Sequence, residues 1–452
     1  MKNQSFFFYV ALFFHIVVPI FSVGFLHPDE QYYVLDFAFD KLGLIENYSK
    51  TWEYQAAIRP WLLPGIFYSA GAILKFLGTS NPFVMSLAFR LLSSLFAFVS
   101  HFCLLKEIQK KYYDTPFKNL FWMFFLSWPI LLMHARTSSE NWSSSFFFLS
   151  LSLLINKKND LWAGTMAALA FFSRFQIGIL LLPFLLLYNK SEPKRLFSLS
   201  IGFLFTAIFM VAIDYWGYQE LTLTPYNYLV VNIIDGKVNT FGTNSSFYYL
   251  YKALTKLLPF WGLASVFALL LSLKRVKTET VYRDGLILLL PFLIVHHLIG
   301  HKELRFIYIV FPLSLILLAR VMDEWKAVYV KFFMISNFLV FPVLFIPAYK
   351  PLLIYNYIYS HQTEIKKIYY FSDVNPLGIK SLLPKGIKIL QYSNKEKPEF
   401  VLAQNYQQLD LVRNSLNCKH LISTYPYSLI KSNPFGLLSR SNIWSIFSCT
   451  ND

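Results

Sequence analysis

The sequence predicts an all-α polytopic membrane protein that ends in a small extracytoplasmic α/β domain. Three observations lead there. Composition is the first: 56% of residues are hydrophobic, 19% aromatic and only 15% charged, and mean hydropathy is +0.45. Soluble domains run roughly 45–50% apolar and about 25% charged. The second is the recurrence of apolar stretches of about 20 residues, the length that crosses a bilayer. The third is the placement of the basic residues in short loops between those stretches, as expected of loops held on the cytoplasmic side. The same figures exclude disorder, collagen and a disulfide scaffold, since Gly is 17, Pro 21 and Cys 3 in 452 residues. The net charge of +16 comes without a basic helix or an aromatic-basic repeat, so nucleic acid is not the expected partner.

The first apolar run, Phe6–Leu26, reads as an uncleaved anchor. A cleaved signal peptide would have a stronger basic start than Lys2 alone and an apolar core of only about 7–15 residues. His27–Arg59 is polar, with Asp29, Glu30, Asp36, Asp40, Glu46 and Glu53 against Lys41, Lys50 and Arg59, which suits an external loop. The next apolar run, Pro60–Leu77, is broken by Pro64, Gly65 and Gly71. Charge counting keeps it out of the membrane core. With Phe83–Leu105 as the second span, the clusters Lys106, Lys110, Lys111 and Lys118, then Lys157 and Lys158, then Lys190, Lys194 and Arg195 fall on one side. Lys274, Arg275, Lys277 and Arg283, then Arg320 and Lys326, follow them there. The expected topology is therefore about eleven spans, amino terminus inside and carboxyl terminus outside.

Residues 1–350 form the expected membrane domain, with a first external loop over 27–82. Residues 351–452 differ in kind. Short β-rich runs (Ile368–Phe371, Ile387–Gln391, Phe400–Ala403, His420–Thr424, Ile443–Phe447) alternate with turn-rich or helical pieces, as in a small α/β domain. Cys103 sits inside a span and is expected in the core. Cys418 and Cys449 both fall in the external domain, where an oxidising compartment would let them pair; two free thiols are the alternative.

Two segments carry the expected chemistry. HPDE, His27–Glu30, places two adjacent carboxylates and an imidazole just after the first span. Neighbouring like charges raise one another's pKa, and a carboxylate within reach of an alcohol can serve as general base. A solvated acidic loop would look the same. HHLIGHKELRFIY, His296–Tyr308, gathers His296, His297, His301, Lys302, Glu303 and Arg305 at the outer end of a hydrophobic hairpin. His297 and His301 are spaced i, i+4, but no acid is placed as a third metal ligand. A cationic cluster there suits an anionic lipid headgroup, with Arg offering a bidentate fork to phosphate. Plain snorkelling toward headgroups is the structural alternative. Arg90, Arg136 beside Glu140, and Arg174 are costly at membrane depth and are read as phosphate ligands or cavity braces. The simplest reaction uniting a base with a phosphate grip is transfer of a sugar from a polyprenyl phosphate to an acceptor hydroxyl. One base suffices, because the phosphate leaves once fixed cations stabilise its charge. A single displacement of this kind inverts the anomeric centre.

At these residues the sequence resembles the lipid-phosphate-mannose-dependent mannosyltransferases of glycosyltransferase family 22, in the GT-C superfamily. The matching pieces are HPDEQYYVLDFA (His27–Ala38), TWEYQAAIRPWLLPGIFY (Thr51–Tyr68), the RTSSE turn (Arg136–Glu140), SRFQ (Ser173–Gln176), FGTNSSFYYLYKAL (Phe241–Leu254) and HKELRFIYIVFPL (His301–Leu313). They occur in family order over about residues 1–350, and the GPI-anchor branch is the most similar. Two departures stand out. The chain is shorter than typical eukaryotic members, and the segment FGTNSSFYYLY lacks the usual Trp-rich character, which leaves the acceptor open. The resemblance implies a GT-C fold, juxtamembrane helices in the first external loop, and Asp29 as base with Glu30 as understudy. His27 would help position the base. His301, Lys302 and Arg305 are the expected donor-phosphate ligands, and Trp52 and Glu53 would shape the sugar site. It also implies a mannose-like hexose, a polyprenyl-phosphate donor, a lipid-linked or glycan acceptor, and surrounding membrane lipids. No cofactor is expected; the reaction is read as metal-independent, with a divalent ion left open.

Residue usage rich in Lys, Asn, Phe and Ile leans toward a bacterial inner-membrane protein with a periplasmic site. A eukaryotic chain would face the endoplasmic reticulum lumen, where the sequons at Asn47 and Asn244 would matter. Rival functions are a transporter or flippase of lipid-linked sugars, and a polysaccharide ligase or polymerase. The first predicts repeats with broken helices in both halves, and no such symmetry is visible. The second has no need of the HPDE loop.

Overall fold

The computed structural model describes residues 2–46, 48–112, 118–157, 159–188, 192–393, 398–416, 418–436, 438–439 and 441–449. Asn47, Lys158 and Lys190 lie outside the described residues. The chain divides into two compact units. One comprises Met1–Ser22, Lys50–Ala70 and Leu87–Ile346; the other comprises Val23–Ser49, Gly71–Ser86 and Pro347–Asp452.

The first unit is helical, as a bilayer demands of any segment that must satisfy its backbone internally. Among the described residues, four helices are long and apolar enough to cross a membrane: Pro82–Tyr112, Pro193–Tyr218, Thr280–Leu298 and Ala327–Phe345. Phe6–Phe21, Leu62–Phe76, Phe175–Leu185 and Val310–Met322 are shorter apolar helices. Of about eleven spans expected, four thus meet the length and hydropathy of a span. Breaks within apolar runs explain part of the difference. At SRFQ the extended backbone of Arg174 (φ −160°) separates Asp160–Ser173 from the turn Phe175–Ile177 and the helix Gly178–Tyr188. At Ser127, just before Pro129, one run divides into Lys118–Leu126 and Trp128–His134. Proline lacks the N–H that would continue the helix. The groups freed at Ser127 are taken by buried Asn337, whose Oδ1 accepts from Trp128 N–H (3.0 Å) and Trp261 Nε1 (3.1 Å) while its Nδ2 donates to Leu126 O (2.9 Å). Leu62–Phe76 has 15 residues, about 22 Å at 1.5 Å per residue, short of a roughly 30 Å hydrocarbon core.

Two close approaches depend on glycine. Helix Asp160–Ser173 crosses helix Pro193–Tyr218 where Gly164 meets Gly202. A Cβ on Gly164 would sit 1.9 Å from Leu199 O, and one on Gly202 would sit 2.0 Å from Leu161 O. Small residues let helix backbones touch where lipid supplies no hydrophobic drive. Gly164→Ala is therefore expected to destabilise by about 1–3 kcal/mol through overpacking, read as a lower thermal midpoint of the detergent-solubilised protein. An unchanged midpoint would show that the crossing can open at no cost. Further along the second helix, Gly217 leaves room for the Trp61 indole, whose ring a Cβ would approach to 2.1 Å. Asp214, one turn earlier, accepts from Trp61 N–H (2.7 Å) and the Thr224 hydroxyl (2.6 Å).

The second unit contains a five-stranded mixed sheet. Its strands are β1 Lys367–Tyr370, β2 Lys388–Gln391, β3 Phe400–Ala403, β4 Lys419–Ser423 and β5 Ser445–Ser448. The order is β2-β1-β3-β5-β4, with β1 parallel to β2 and β3, and β5 antiparallel to β3 and β4. Alternation along the strands buries both faces. Ile368, Leu402 and Ile446 pack with Ile354, Tyr355 and Ile358 of helix Leu352–Ser360 and with Leu377, Ile379 and Leu382. Tyr369, Val401, Ala403 and Phe447 face the other way, toward Leu409 and Val412 of helix Tyr406–Ser415, Ile430 and Leu438. Each of the five expected β-runs overlaps one of these strands. Cys418 and Cys449 are disulfide-bonded, with Cα atoms 4.3 Å apart across a sequence separation of 31, which settles the alternative that the sequence left open.

The HPDE segment belongs to this second unit. A helix runs over 28–41, with Pro28 in its first turn and a π-helical stretch at Glu30–Leu35. Proline is tolerated there because the first turn has no intrahelical use for its missing N–H. Buried Asp36 accepts from Gln31 Nε2 (2.8 Å) and from the Ser381 hydroxyl, and Gln31 also donates to Ser381 (3.2 Å). Burial pushes the Asp36 carboxyl up to about 6, against the opposing pull of those two hydrogen bonds. The fold thus favours the neutral acid. That contribution is complete below the ordinary carboxyl pKa near 3.8 and disappears as pH rises through about 6. A rise of roughly two pH units corresponds to about 3 kcal/mol. Thermal stability should therefore fall between about pH 4 and pH 7. Asp36→Asn keeps the Oδ1 acceptor and should flatten that slope; a slope identical to the parent's would remove Asp36 as its source.

Candidate active site

Five of the motif segments converge inside the first unit. Trp61, seated against Gly217 and Asp214, anchors the stretch before it. Tyr54 packs edge-on to Trp61 and Tyr218, and the Tyr218 hydroxyl donates to Arg59 O (2.6 Å). Arg59 also forms an ion pair with Glu53. Trp52 is thereby presented to Phe241, stacked at a centroid distance of 6.2 Å, with the Lys237 ammonium 5.4 Å from its ring. Phe241 in turn lies 5.9 Å from the His301 ring. His301 holds the Gly242 carbonyl through Nδ1 (3.0 Å).

From His301 a line of hydrogen-bonding contacts and ion pairs runs into the unit. His301 Nε2 lies 3.1 Å from Glu303 Oε1, and Glu303 Oε2 accepts from Arg305 Nε at 2.7 Å. Arg305 reaches Glu140 Oε1 at 3.3 Å, and Arg174 reaches the same oxygen at 2.7 Å. The Glu140 carboxylate is thus shared by two guanidinium groups, and it and Arg174 are buried, with side-chain exposures of 4% and 6%. Ser138 caps the helix that bears Glu140, accepting from Asn141 N–H. The Arg174 guanidinium also lies 5.1 Å from the Phe306 ring.

This line borders a cavity of about 550 Å³ lined by Phe171, Phe175, Ile179, Leu229, Val295 and Phe306, with Gln176, Tyr228, Asn232, His296 and His301 as its polar members. Gln176 donates to the Tyr228 hydroxyl (2.7 Å). Burial pushes the Tyr228 phenol up, so it stays a neutral hydrogen-bonding group. Four buried nitrogens around this region have no hydrogen-bond partner among the described residues: Arg174 Nε and Nη2, Asn232 Nδ2 and His296 Nε2. Buried polar atoms are nearly always paired, so these four suit a polar ligand. A second, almost wholly apolar cavity of about 710 Å³ shares Ile179 and Val295 with the first and ends at Arg283.

The other singled-out residues lie elsewhere. Lys302 directs its ammonium to Ile299 O (2.6 Å) and Asn244 O (3.2 Å), while Asn244 donates to Gly300 O and Lys302 O. It braces the 299–302 turn against the 242–244 loop. Arg90 donates to Pro19 O (2.9 Å), and Arg136 to Ser22 O and Oγ. Both meet the end of helix Lys2–Phe21. Glu140 takes Arg174 and Arg305, a pairing across 34 and 165 residues of sequence that proximity to Arg136 on the chain did not reveal. In the second unit, Glu30 accepts from Leu26 N–H and His27 N–H through Oε1, closing its own helix start. Asp29 N–H lies 3.3 Å from His27 Nδ1, and the Asp29 carboxylate 3.1 Å from the same nitrogen. One ring nitrogen serves one of these at a time. The two adjacent carboxylates therefore have different partners. Phe241, Tyr228, Asn232 and the pairing role of Glu303 were not singled out in the sequence. The FGTNSS and HKELR motifs, which carry or border some of them, were the available signal.

Many apolar helices around buried ion pairs, with unpartnered polar nitrogens near a largely apolar cavity, make up a membrane protein with a candidate polar site. The chain belongs to the Alg9-like mannosyltransferase family, whose model matches residues 6–376. It is 26% identical to human GPI alpha-1,2-mannosyltransferase 3 over 367 residues, covering 76% of this chain and 61% of that protein. It is 25% identical to the Bos taurus protein of the same name, covering 69% and 58%, and 25% identical to Mannosyltransferase APTG1 of Arabidopsis thaliana, covering 68% and 57%. The matched region is thus less than two thirds of these relatives' length. The fold is similar to that of ArnT from Cupriavidus metallidurans bound to undecaprenyl phosphate, at a TM-score of 0.62 and 10% identity, covering 100% of this chain and 98% of that one. The fold is accordingly ArnT-like, of the GT-C type, and its long apolar helices mark an integral membrane protein.

Proposed function

We propose that this enzyme is an inverting hexosyltransferase that moves a mannose-like sugar from a polyprenyl phosphate to a hydroxyl of a glycan or glycolipid, on the extracytoplasmic face. The observation that carries the reading is the set of unmet donors on buried Arg174, beside an apolar cavity and an Arg305–Glu303–His301 line. Phosphate oxygens are strong acceptors for guanidinium, and the cavity below suits an isoprenoid. Arg174, Arg305 and His301 hold the donor phosphate, and Lys302 keeps their loop in place. As the bond from sugar C1 to phosphate oxygen breaks, charge grows on that oxygen, where fixed cations act without reorganising. The acceptor oxygen bonds to C1 from the opposite face, and its proton passes to Asp29. Trp52 with Phe241 offers an aromatic wall to the sugar.

The fold's solved likeness to a protein holding undecaprenyl phosphate and the names of the relatives support the donor class and the sugar. The charge distribution supports a topology of about eleven spans with the site outside: periplasmic in a bacterial inner membrane, luminal in an endoplasmic reticulum. The test is an assay of the purified chain with a panel of polyprenyl-phosphate sugars and membrane extract as acceptor. Transfer from the mannosyl donor, with inverted product configuration, is expected. Folded protein that accepts none of the donors would overturn the reading.

A further inference from the structure

We propose that His15, His134 and His101 form a buried proton-binding site, a row of three imidazoles that holds one excess proton among them. The three rings come from helices Lys2–Phe21, Trp128–His134 and Pro82–Tyr112, and all are buried within the first unit. They stand in line. His15 Nε2 lies 2.8 Å from His134 Nδ1, and His134 Nε2 lies 3.2 Å from His101 Nε2. Both outer ends close on backbone carbonyls: His15 Nδ1 on Ala11 O at 2.8 Å and His101 Nδ1 on Ala97 O at 2.8 Å.

The proton count of the row decides its charge. The row makes four contacts, and each needs one hydrogen on a ring nitrogen. The two terminal hydrogens must sit on His15 and His101, because a carbonyl only accepts. Three neutral imidazoles carry three N–H groups, so one contact in a neutral row would set two lone pairs against each other at hydrogen-bonding distance. Uptake of one proton from water supplies the fourth and satisfies every ring nitrogen in the row. Buried polar atoms strongly favour such completion. Burial opposes a charge on the row, and the rings that flank it are aromatic. Phe98 and Phe125 lie 4.9 and 6.0 Å from the His15 ring, and Phe148 and Phe124 lie 4.7 and 5.7 Å from the His101 ring. Aromatic rings attract cations where aliphatic ones do not.

The charged groups on the same and neighbouring elements are engaged elsewhere. Arg90 is on Pro19 O, Arg136 on Ser22, and Glu140 on Arg174 and Arg305. Lys110 pairs with Glu107, Lys111 with Asp284, and Lys106 sits over Phe102. The proton is therefore bound by the imidazoles and their carbonyls. It places a fixed positive charge one turn from the Arg136–Glu140 segment, which Asn141 ties to His134 by donating to the carbonyls of His134 (3.0 Å) and Arg136 (2.9 Å).

The test is ¹⁵N solid-state NMR of the histidine-labelled full chain in lipid bilayers at neutral pH, counting ring nitrogens that bear a proton and ring nitrogens that are bare. His134→Leu leaves His15 and His101 each neutral with one N–H. If the row holds an excess proton, the variant loses two protonated signals and no bare one. If the row is neutral, it loses one of each, and the proposal fails. His101→Phe gives the same alternatives by removing an end ring. The count can also be read without a variant, since nitrogens in ring-to-ring contact are identified by ¹⁵N–¹⁵N proximity. Four protonated and two bare nitrogens support the site; three and three overturn it.

Discussion

Asp29→Asn is expected to lower the turnover of sugar transfer by about 10²–10⁴-fold, the usual contribution of a positioned general base. The asparagine keeps the shape and the acceptor oxygen that meets His27 but cannot take a proton. Donor binding should survive, because the proposed phosphate ligands lie on other segments. The measurement pairs turnover with donor affinity in the same membrane preparation. A fall in turnover with unchanged affinity identifies an interaction that matters only in the transition state. Full activity in Asp29→Asn would transfer the role to another group, with Glu30 poorly placed for it because Oε1 closes the start of its own helix.

Glu140→Ala is expected to be the most destabilising change among the charged residues. The carboxylate is buried and joins Arg174 to Arg305, so its loss leaves two guanidinium groups facing each other with their shared counter-ion gone. Breaking a buried pair from one side costs about 3–5 kcal/mol, mostly because the remaining charge is uncompensated. Glu140→Gln keeps the shape and one acceptor, and should fall between parent and Ala in stability while still losing transfer. Thermal unfolding of the solubilised proteins measures the first effect. If Glu140→Ala unfolds at the parent's temperature, the pair is solvated in practice and the ion line is not a rigid element.

The carboxyl-terminal sheet was legible in local terms. Short apolar runs bounded by turn residues mark strands whatever surrounds them, and β3 begins and ends where the residues alone place it, at Phe400–Ala403. The motif residues were legible too, because intramembrane Arg and clustered His, Lys and Arg are costly unless something uses them. Their pairing was not. Arg136 and Glu140 are four apart in sequence, yet Arg136 precedes the capped helix start at Ser138, so it does not share the face from which Glu140 meets Arg174 and Arg305. Lys302 looked equivalent to its neighbours His301 and Arg305; in the fold a tight turn sends its ammonium to carbonyls instead. The histidine row drew no notice, since His15, His101 and His134 lie singly in apolar runs.

Composition, charge placement and short motifs determined by themselves that this chain is membrane-embedded and which costly side chains are candidates for its site, because the cost of burying charge in lipid is written in each residue separately. Which of those side chains meet, which merely brace a loop, and where three distant imidazoles line up were decided only by tertiary structure. Contacts between residues 34, 119 or 165 positions apart arise from helix breaks and glycine crossings that bring distant segments together, and no local pattern encodes that geometry.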